Sequence, residues 1–321
     1  MKILQVTAPR EYEILDVPIP VPGAGEVLVR VLAVTTCPQW DLHLRHNEPM
    51  FVGHRFEYPY MAGQPGHEAA GVIEAVGSGV AGLAVGDTVC IWRDSGHHVP
   101  GCYAQFVTHP AENVIRVPAN LPPEAVAPLE LAMCIAAVFR MFVDMDVIRG
   151  RCFGVVGLGP AGLVALQMAR AEGAESVFGF DPVESRRELA LRIGADGCYD
   201  PTAGIDGEFP MRPFARLGSS VDCVGAKASV EFAMDRTQDA VGLFGVQRED
   251  YTYKVHHHGV RLCGYRWHCR ESAEYAVGLI EAGKLDLSGL VTHRMPLEAY
   301  GEAVDLLETQ QAVKVALLPW A

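Results

Sequence analysis

The stretch Cys152-Phe153-Gly154-Val155-Val156-Gly157-Leu158-Gly159-Pro160-Ala161-Gly162 decides the fold of this chain. Its first five residues are a short apolar run typical of a buried strand, and a Gly-x-Gly-x-x-Gly turn follows at once. Residues 163–170 continue as an apolar helix-forming segment, and residues 176–180 form a second strand-like run. This order of strand, glycine turn, helix and strand predicts a βαβ unit that binds a dinucleotide at its turn.

Each glycine of the turn has a physical role in such a site. Gly157 permits the tight turn, Gly159 lets the backbone approach a pyrophosphate, and Gly162 allows the helix to pack closely on the strand. The amino terminus of the helix offers N–H groups to the phosphates. We count Leu158 and Pro160, between the glycines, among the cofactor-binding residues. The alternative is a glycine turn that holds no ligand.

The residue after the second strand bears on the choice of cofactor. Asp181 lies about 20 residues beyond the turn, where a carboxylate can bind the ribose 2′-hydroxyl and would repel a 2′-phosphate. NAD is therefore favoured over NADP. Arg186 and Arg187 weaken this preference, because an arginine could reach a 2′-phosphate, and a role for Asp181 as a helix cap is the alternative.

Strands and helices continue to alternate through residues 221–224 and 259–264, which predicts an α/β fold with a doubly wound parallel sheet, the Rossmann arrangement. Residues 1–125 instead consist of short β-like runs separated by Pro and Gly. Residues 291–297 and 314–318 return to β character. We therefore expect a β-rich domain of residues 1–125, rejoined by 288–321, and a dinucleotide-binding domain of residues 126–287.

A second signature, Gly66-His67-Glu68, opens an alternating, glycine-punctuated segment. Cys37 follows an earlier strand-like run, and Glu130 lies where the composition changes to helix. One thiolate, one imidazole and one or two carboxylates can hold tetrahedral zinc with an open position, as a catalytic site requires. The alternative for His67 and Glu68 alone is a polar pair at a strand end.

These motifs, in this order along nearly the whole chain, resemble the medium-chain dehydrogenase/reductase superfamily. Within it they are similar to the zinc-dependent alcohol and polyol dehydrogenases, in the sorbitol and threonine dehydrogenase-like branch. The resemblance implies a GroES-like catalytic domain, a Rossmann domain, and an active site in the cleft between them. It also implies a homodimer or homotetramer.

The resemblance further implies roles for individual residues. His67 is a zinc ligand, Glu68 a ligand or alternate ligand, and Glu130 the glutamate that this branch places near zinc. Asp41 orients the His67 ring and fixes its tautomer. His43 is the surface end of a proton relay.

Three departures from the family pattern matter. Cys37-Pro38-Gln39-Trp40-Asp41 is one residue longer than the usual Cys-x-x-Asp, so Cys37 is a ligand with shifted spacing. Trp40 replaces the Ser or Thr of the inner relay, so water, Thr36 or Gln39 would have to substitute. Ile91-Trp92-Arg93-Asp94-Ser95-Gly96-His97-His98-Val99-Pro100 stands where a four-cysteine lobe would hold structural zinc. We therefore predict at most one zinc per chain.

The bulk properties exclude other classes of function. The 321 residues carry a net charge of −13, which argues against a nucleic-acid partner. The first residues show no basic leader with an apolar core, and no uninterrupted apolar stretch approaches membrane-spanning length. Nine cysteines without framework spacing indicate reduced thiols or metal ligands. We expect a cytoplasmic protein that does not engage a membrane.

The sequence thus predicts a zinc- and NAD-dependent dehydrogenase that acts on a small secondary alcohol or polyol, or on the matching carbonyl. Two alternatives remain. One is a zinc-free quinone or enoyl reductase of the same superfamily, and the other is a non-catalytic dinucleotide-binding protein. The histidine runs 97–98 and 256–258 are interpreted as loop residues rather than metal ligands.

Overall fold

The computed structural model describes residues 1–51, 53–265 and 267–321. The chain divides into two compact units. The first unit comprises Met1–Leu131 and Leu287–Ala321, and the second comprises Ala132–Asp286.

The elements of the first part of the chain are β1 (Lys2–Ala8), β2 (Glu11–Asp16), β3 (Glu26–Thr35), α1 (Pro38–His46), β4 (Glu68–Val76), β5 (Thr88–Ile91), β6 (Phe106–Pro110), β7 (Val114–Arg116), α2 (Pro123–Val126) and α3 (Leu129–Asp144). Those that follow are β8 (Cys152–Val156), α4 (Pro160–Ala171), β9 (Ser176–Phe180), α5 (Glu184–Ile193), β10 (Gly197–Tyr199), β11 (Leu217–Asp222), α6 (Lys227–Arg236), β12 (Thr237–Leu243), β13 (Arg261–Gly264), α7 (Arg270–Glu281), β14 (Val291–Pro296), α8 (Tyr300–Glu308) and β15 (Lys314–Leu318).

The first unit is built on one sheet. Its strands follow the order β14-β15-β3-β4-β5-β7, with β6 paired to β3, and β1 and β2 form a separate hairpin. Strand β3 reads Glu-Val-Leu-Val-Arg-Val-Leu-Ala-Val-Thr and is mostly buried, as its run of β-branched residues predicts. The segment after residue 287 adds β14 and β15 to this sheet, so the two ends of the chain share one hydrophobic core.

The second unit contains a parallel sheet in the order β10-β9-β8-β11-β12-β13. Numbered within the unit, this is 3-2-1-4-5-6, the strand order of the Rossmann fold. Every pair in this sheet is parallel, and helices alternate with the strands along the chain. The predicted fold class is confirmed, and the glycine turn follows β8, the strand at which the order reverses.

One apolar helical stretch needs comment, because the sequence analysis found no segment of membrane-spanning length. Among the described residues, Pro123–Asp144 is long and apolar enough to cross a bilayer. Its apolar window is 72% buried within the protein, and helices of a protein core have the same composition. We interpret it as a core helix.

Candidate metal centre and nucleotide site

The pairing of two strands brings the predicted metal donors together. Thr35 ends β3 and is paired with Glu68, the first residue of the antiparallel strand β4. Because the strands run in opposite directions, residues after Thr35 meet residues before Glu68, and Cys37 lies beside His67. The ligand atoms of Cys37, His67 and Glu68 all lie within 4.8 Å of one another.

Hydrogen bonding to the backbone fixes the tautomer of His67 that can bind a metal. The side chain is buried, and Nδ1 lies 2.7 Å from the Pro65 carbonyl oxygen. A carbonyl only accepts, so Nδ1 carries the proton and Nε2 offers a lone pair. Nε2 lies 3.8 Å from Glu130 Oε2, and the Cys37 side chain is within hydrogen-bonding reach of the same ring. The sequence alone did not identify this backbone partner.

The acidic groups around His67 favour the binding of a cation. Burial by itself would lower the pKa of His67, but Cys37, Glu130 and Glu68 together raise that pKa well above its ordinary value. Anionic groups therefore converge on one buried imidazole. Thiolate, imidazole and carboxylate are the donors that zinc prefers, so the residues present fit this metal.

The Glu68 carboxylate has a second partner that sequence analysis missed. Its Oε1 accepts a hydrogen bond from Lys314 Nζ at 2.5 Å, and its Oε2 accepts one from the Thr35 hydroxyl at 2.8 Å. Lys314 Nζ also donates to the Thr36 carbonyl at 2.8 Å. The side chains of Glu68 and Lys314 are each only 1% exposed. The one sequence signal was a lysine that opens an apolar strand, and this does not identify its partner.

The role predicted for Asp41 is wrong. We expected this carboxylate to orient the His67 ring, but the backbone carbonyl described above does so. Asp41 Oδ2 instead accepts the Cys37 N–H at 2.7 Å, while the Tyr103 and Tyr300 hydroxyls donate to the same carboxylate at 2.9 Å. Burial raises the pKa of Asp41 to about 6, and these hydrogen bonds oppose that rise. Asp41 therefore positions Cys37.

The other residues of the predicted relay lie around helix α1. His43 is buried, with Nδ1 3.1 Å from the Glu48 carbonyl oxygen. Its role at the outer end of a proton relay stays a prediction. Thr36 Oγ1 accepts the Val315 N–H at 2.9 Å, which still leaves its hydroxyl proton to donate. Trp40 stacks on a histidine ring and supplies no hydroxyl.

The segment that replaces the four-cysteine lobe packs onto its own unit. The Trp92 indole donates to the Glu112 carbonyl at 2.9 Å, and the Gln64 amide donates to the Val99 carbonyl at 3.2 Å. Cys90 and Cys102, which flank the segment, are buried in the core. Residues 91–101 contain no cysteine, so this segment cannot form a site of four thiolates.

The glycine turn of the second unit has the geometry that a dinucleotide requires. Gly157 has φ +86°, a conformation that favours glycine. A Cβ on Gly162 would lie 1.9 Å from the Gly157 carbonyl oxygen, so only glycine lets the helix backbone come this close to the turn. A Cβ on Gly159 would meet nothing within 4 Å, which leaves room in front of the helix. Helix α4 begins at Pro160, which has no N–H to lose there.

Asp181 lies next to this turn and is buried. Its Oδ2 accepts the Leu158 N–H and its Oδ1 accepts the Val183 N–H, each at 2.8 Å. Arg186 Nη1 lies 3.7 Å from Asp181 Oδ2. Arg187 instead donates to two backbone carbonyls, those of Asp181 and Pro182. The arginine side chain nearest the Asp181 carboxylate is therefore that of Arg186.

A second group of possible metal donors lies in the second unit, at Asp235, His256 and His257. Both His rings place Nε2 2.7 Å from Asp235 Oδ1. His257 Nδ1 accepts the Lys254 N–H at 3.0 Å, so the proton of the neutral ring sits on Nε2 and occupies the lone pair that a metal would need. This group therefore fixes a loop, and His257 within it is fully buried.

Two family models match this chain. Residues 23–119 match the alcohol dehydrogenase GroES-like domain, and residues 160–281 match the zinc-binding dehydrogenase domain. The chain belongs to the zinc-binding dehydrogenases. The predicted superfamily and the prediction of an oxidoreductase of the alcohol and polyol dehydrogenase class are thereby confirmed. The family implies zinc and a nicotinamide dinucleotide as cofactors.

Curated relatives of this zinc-binding dehydrogenase align over nearly its full length. It is 29% identical to L-threonine 3-dehydrogenase of Bacillus subtilis, across 95% of this chain and 94% of that protein. It is 28% identical to human sorbitol dehydrogenase, across 98% and 94% of the respective chains. The relatives thus act on an amino-acid alcohol in one case and on a polyol in the other, according to their names.

Solved structures agree on the fold. Galactitol-1-phosphate dehydrogenase from Escherichia coli superposes with a TM-score of 0.82 at 23% identity, covering 99% of this chain and all of that one. 2R,3R-butanediol dehydrogenase from Bacillus subtilis gives a TM-score of 0.84 at 19% identity, covering 99% of each chain. At these identities the likeness shows a shared fold.

Proposed function

We propose that this protein is a dehydrogenase with one zinc ion per chain that oxidises a secondary alcohol or polyol with NAD, or reduces the matching carbonyl. The observation that carries the proposal is the convergence of Cys37, His67 and Glu68, whose ligand atoms lie within 4.8 Å of one another. Bound zinc would supply a Lewis acid for the substrate oxygen, and NAD would accept the hydride.

The chain's own residues have distinct tasks in this proposal. Cys37 and His67 hold the metal, with Glu130 or Glu68 as the carboxylate donor. Asp41 holds the Cys37 backbone, and His43 carries the substrate proton toward solvent.

In the second unit, the glycine turn binds the pyrophosphate and Asp181 binds the adenosine ribose. We therefore assign catalysis to residues 1–125 with 288–321, and cofactor binding to residues 126–287. Preference for NAD over NADP follows from the Asp181 carboxylate, whose negative charge would repel a 2′-phosphate. A homodimer or homotetramer in the cytoplasm is part of the proposal.

The test measures metal and turnover on the same samples. Zinc is quantified by plasma mass spectrometry, and NAD reduction is followed at neutral pH with a panel of secondary alcohols and polyols. His67→Ala should lose both zinc and turnover. The matched control is His258→Ala, an exposed histidine whose ring has no part in the site. Turnover by His67→Ala without zinc would refute the mechanism.

A further inference from the structure

A cluster of rings lies beside the metal donors within the first unit. It consists of Trp40, His54, Phe56, Tyr60 and His97, and we call it the Trp40 cluster. Trp40 follows Cys37 by three residues, in the first turn of α1, for which Cys37 is the N-cap. His97 is close enough to His67 for the charges of the two rings to interact. Whatever the metal donors hold therefore lies near this cluster.

Three neighbouring side chains hold the His97 ring in its orientation. It stacks on the Trp40 indole, with ring centroids 3.8 Å apart and planes inclined by 25°. Its Nδ1 lies 2.9 Å from the Tyr60 hydroxyl, and its Nε2 lies 3.6 Å from Asp94 Oδ2. A carboxylate only accepts, so the nearby Asp94 favours the tautomer with the proton on Nε2, in which Nδ1 accepts a hydrogen bond from the Tyr60 hydroxyl. Trp40, Tyr60 and Asp94 together hold one imidazole in place.

His54 is the second imidazole of the cluster. Its Nδ1 accepts the Met50 N–H at 3.3 Å, so the neutral ring carries its proton on Nε2 as a hydrogen-bond donor. The ring packs edge-on against Phe56, with centroids 4.6 Å apart, and edge-on against Trp40 at 5.8 Å. The cluster thus combines apolar ring surface with a fixed donor.

The rings of the Trp40 cluster are uncharged at neutral pH, and an acidic side chain, Asp94, lies beside them. Burial lowers the pKa of His97 to about 4 and also lowers that of His54, so both rings are neutral at pH 7. Asp94 is then the one formal charge among these six side chains. Its Oδ1 accepts the Gly96 N–H at 2.8 Å, and its side chain is 32% exposed. A substrate hydroxyl could donate a hydrogen bond to this carboxylate.

We propose that the Trp40 cluster and Asp94 form a recognition wall that selects a polyol over an alcohol with a single hydroxyl. Trp40 contacts the carbon chain, Asp94 accepts a hydrogen bond from a hydroxyl remote from the reacting carbon, and His54 Nε2 donates one. The inference rests on the proposed function and narrows its substrate class.

The test compares two substrates with the zinc-loaded enzyme: xylitol and 2-propanol, which has no second hydroxyl. The wild type should show a higher kcat/KM for xylitol than for 2-propanol. Asp94→Asn keeps the hydrogen bond from Gly96 but loses the charge, and should lower kcat/KM for xylitol by about ten- to a hundredfold. The same variant should leave kcat/KM for 2-propanol unchanged, which a merely structural role would not do.

Two further variants complete the design. His54→Phe keeps the ring packing, removes the donor, and should lower kcat/KM for xylitol but not for 2-propanol. Glu57→Gln, an exposed carboxylate of the same segment, is the matched control and should change neither value.

The outcomes separate this inference from the proposed function. A higher kcat/KM for 2-propanol than for xylitol, or equal losses for xylitol and 2-propanol in Asp94→Asn and in His54→Phe, would overturn the recognition wall alone. If no alcohol is oxidised and no zinc is retained, the proposed function fails and the wall fails with it.

Discussion

The Asp41 carboxylate accepts the backbone N–H of Cys37 at 2.7 Å, while the Asp41 N–H donates to the Cys37 carbonyl at 2.9 Å. Cys37 is the N-cap of helix α1, so the two residues form a reciprocal pair across its first turn. In a capping box the side chain that accepts the N-cap N–H is three residues beyond the N-cap. Asp41 is four residues beyond Cys37. This explains how the chain keeps its thiolate beside His67 despite one additional residue.

Removal of the Asp41 side chain should therefore weaken metal binding. We expect Asp41→Ala to lower zinc affinity by about ten- to a hundredfold, the range seen when residues that support a metal ligand are changed. Competition with a chromophoric chelator measures this affinity. Tyr300→Phe removes one hydrogen bond to the same carboxylate and should give a smaller loss. Unchanged zinc affinity in Asp41→Ala would show that Asp41 does not position Cys37.

Replacing Lys314 alone should destabilise the protein more than replacing Lys314 and Glu68 together. Lys314→Met leaves a carboxylate buried without its cation, and we expect a loss of about 3–5 kcal/mol in the free energy of unfolding. Adding Glu68→Gln removes that charge and should restore part of the loss. Urea denaturation in the presence of chelator measures both variants without a contribution from bound metal. Equal stabilities of the single and double variants would contradict this account.

Coenzyme preference should depend on Asp181 and Arg186. Asp181→Asn removes the negative charge that disfavours a 2′-phosphate, while its amide can still accept the Leu158 N–H. We expect the ratio of kcat/KM for NAD to that for NADP to fall by at least about tenfold. Arg186→Ala should shift the ratio the other way. Steady-state kinetics with both cofactors decide the question, and an unchanged ratio in Asp181→Asn would be inconsistent with ribose binding by this residue.

His109 should make the protein less stable in mild acid. The ring is buried, and burial lowers its pKa to about 4. An unfolded histidine has a pKa of about 6.5, so the unfolded chain takes up a proton first as pH falls. The stabilising contribution of neutral His109 is complete above pH 6.5. It is lost between about pH 6.5 and 4 and amounts to about 3 kcal/mol over that interval.

The comparison of wild type with His109→Gln isolates this effect. The variant should lose less unfolding free energy than wild type between pH 7 and pH 4.5, as measured by urea denaturation at each pH. Ser95 Oγ lies 3.3 Å from His109 Nδ1. The replacement therefore also changes the contact between position 109 and the segment 91–100. Parallel pH profiles for the two proteins would refute the assignment.

Local patterns of apolar residues in the sequence predicted much of the fold. The strands Cys152–Val156, Ser176–Phe180 and Lys314–Leu318 have the bounds that their apolar runs indicate. Helix α4 begins at Pro160 instead of residue 163, because glycine and proline in its first turn weaken the helical pattern. The donors Cys37 and His67 could be found because each follows or precedes a recognisable strand.

The residues that contact Asp41 and Glu68 could not be predicted in the same way. Tyr300 contacts Asp41 across 259 residues, and Lys314 contacts Glu68 across 246 residues. Tertiary contacts of this kind leave no periodic signal in sequence. The role of Asp41 was misassigned because family spacing suggested a direct contact with His67. The inserted residue instead places Asp41 four positions past the helix cap.

X-ray absorption at the zinc edge tests the central claim most directly. A protein purified with one zinc per chain should show a single sulfur neighbour at about 2.3 Å and nitrogen or oxygen neighbours at about 2.0–2.2 Å. Cys37→Ser should remove the sulfur shell. A protein without zinc, or a zinc ion whose sulfur shell survives in Cys37→Ser, would contradict a catalytic centre built on Cys37 and His67.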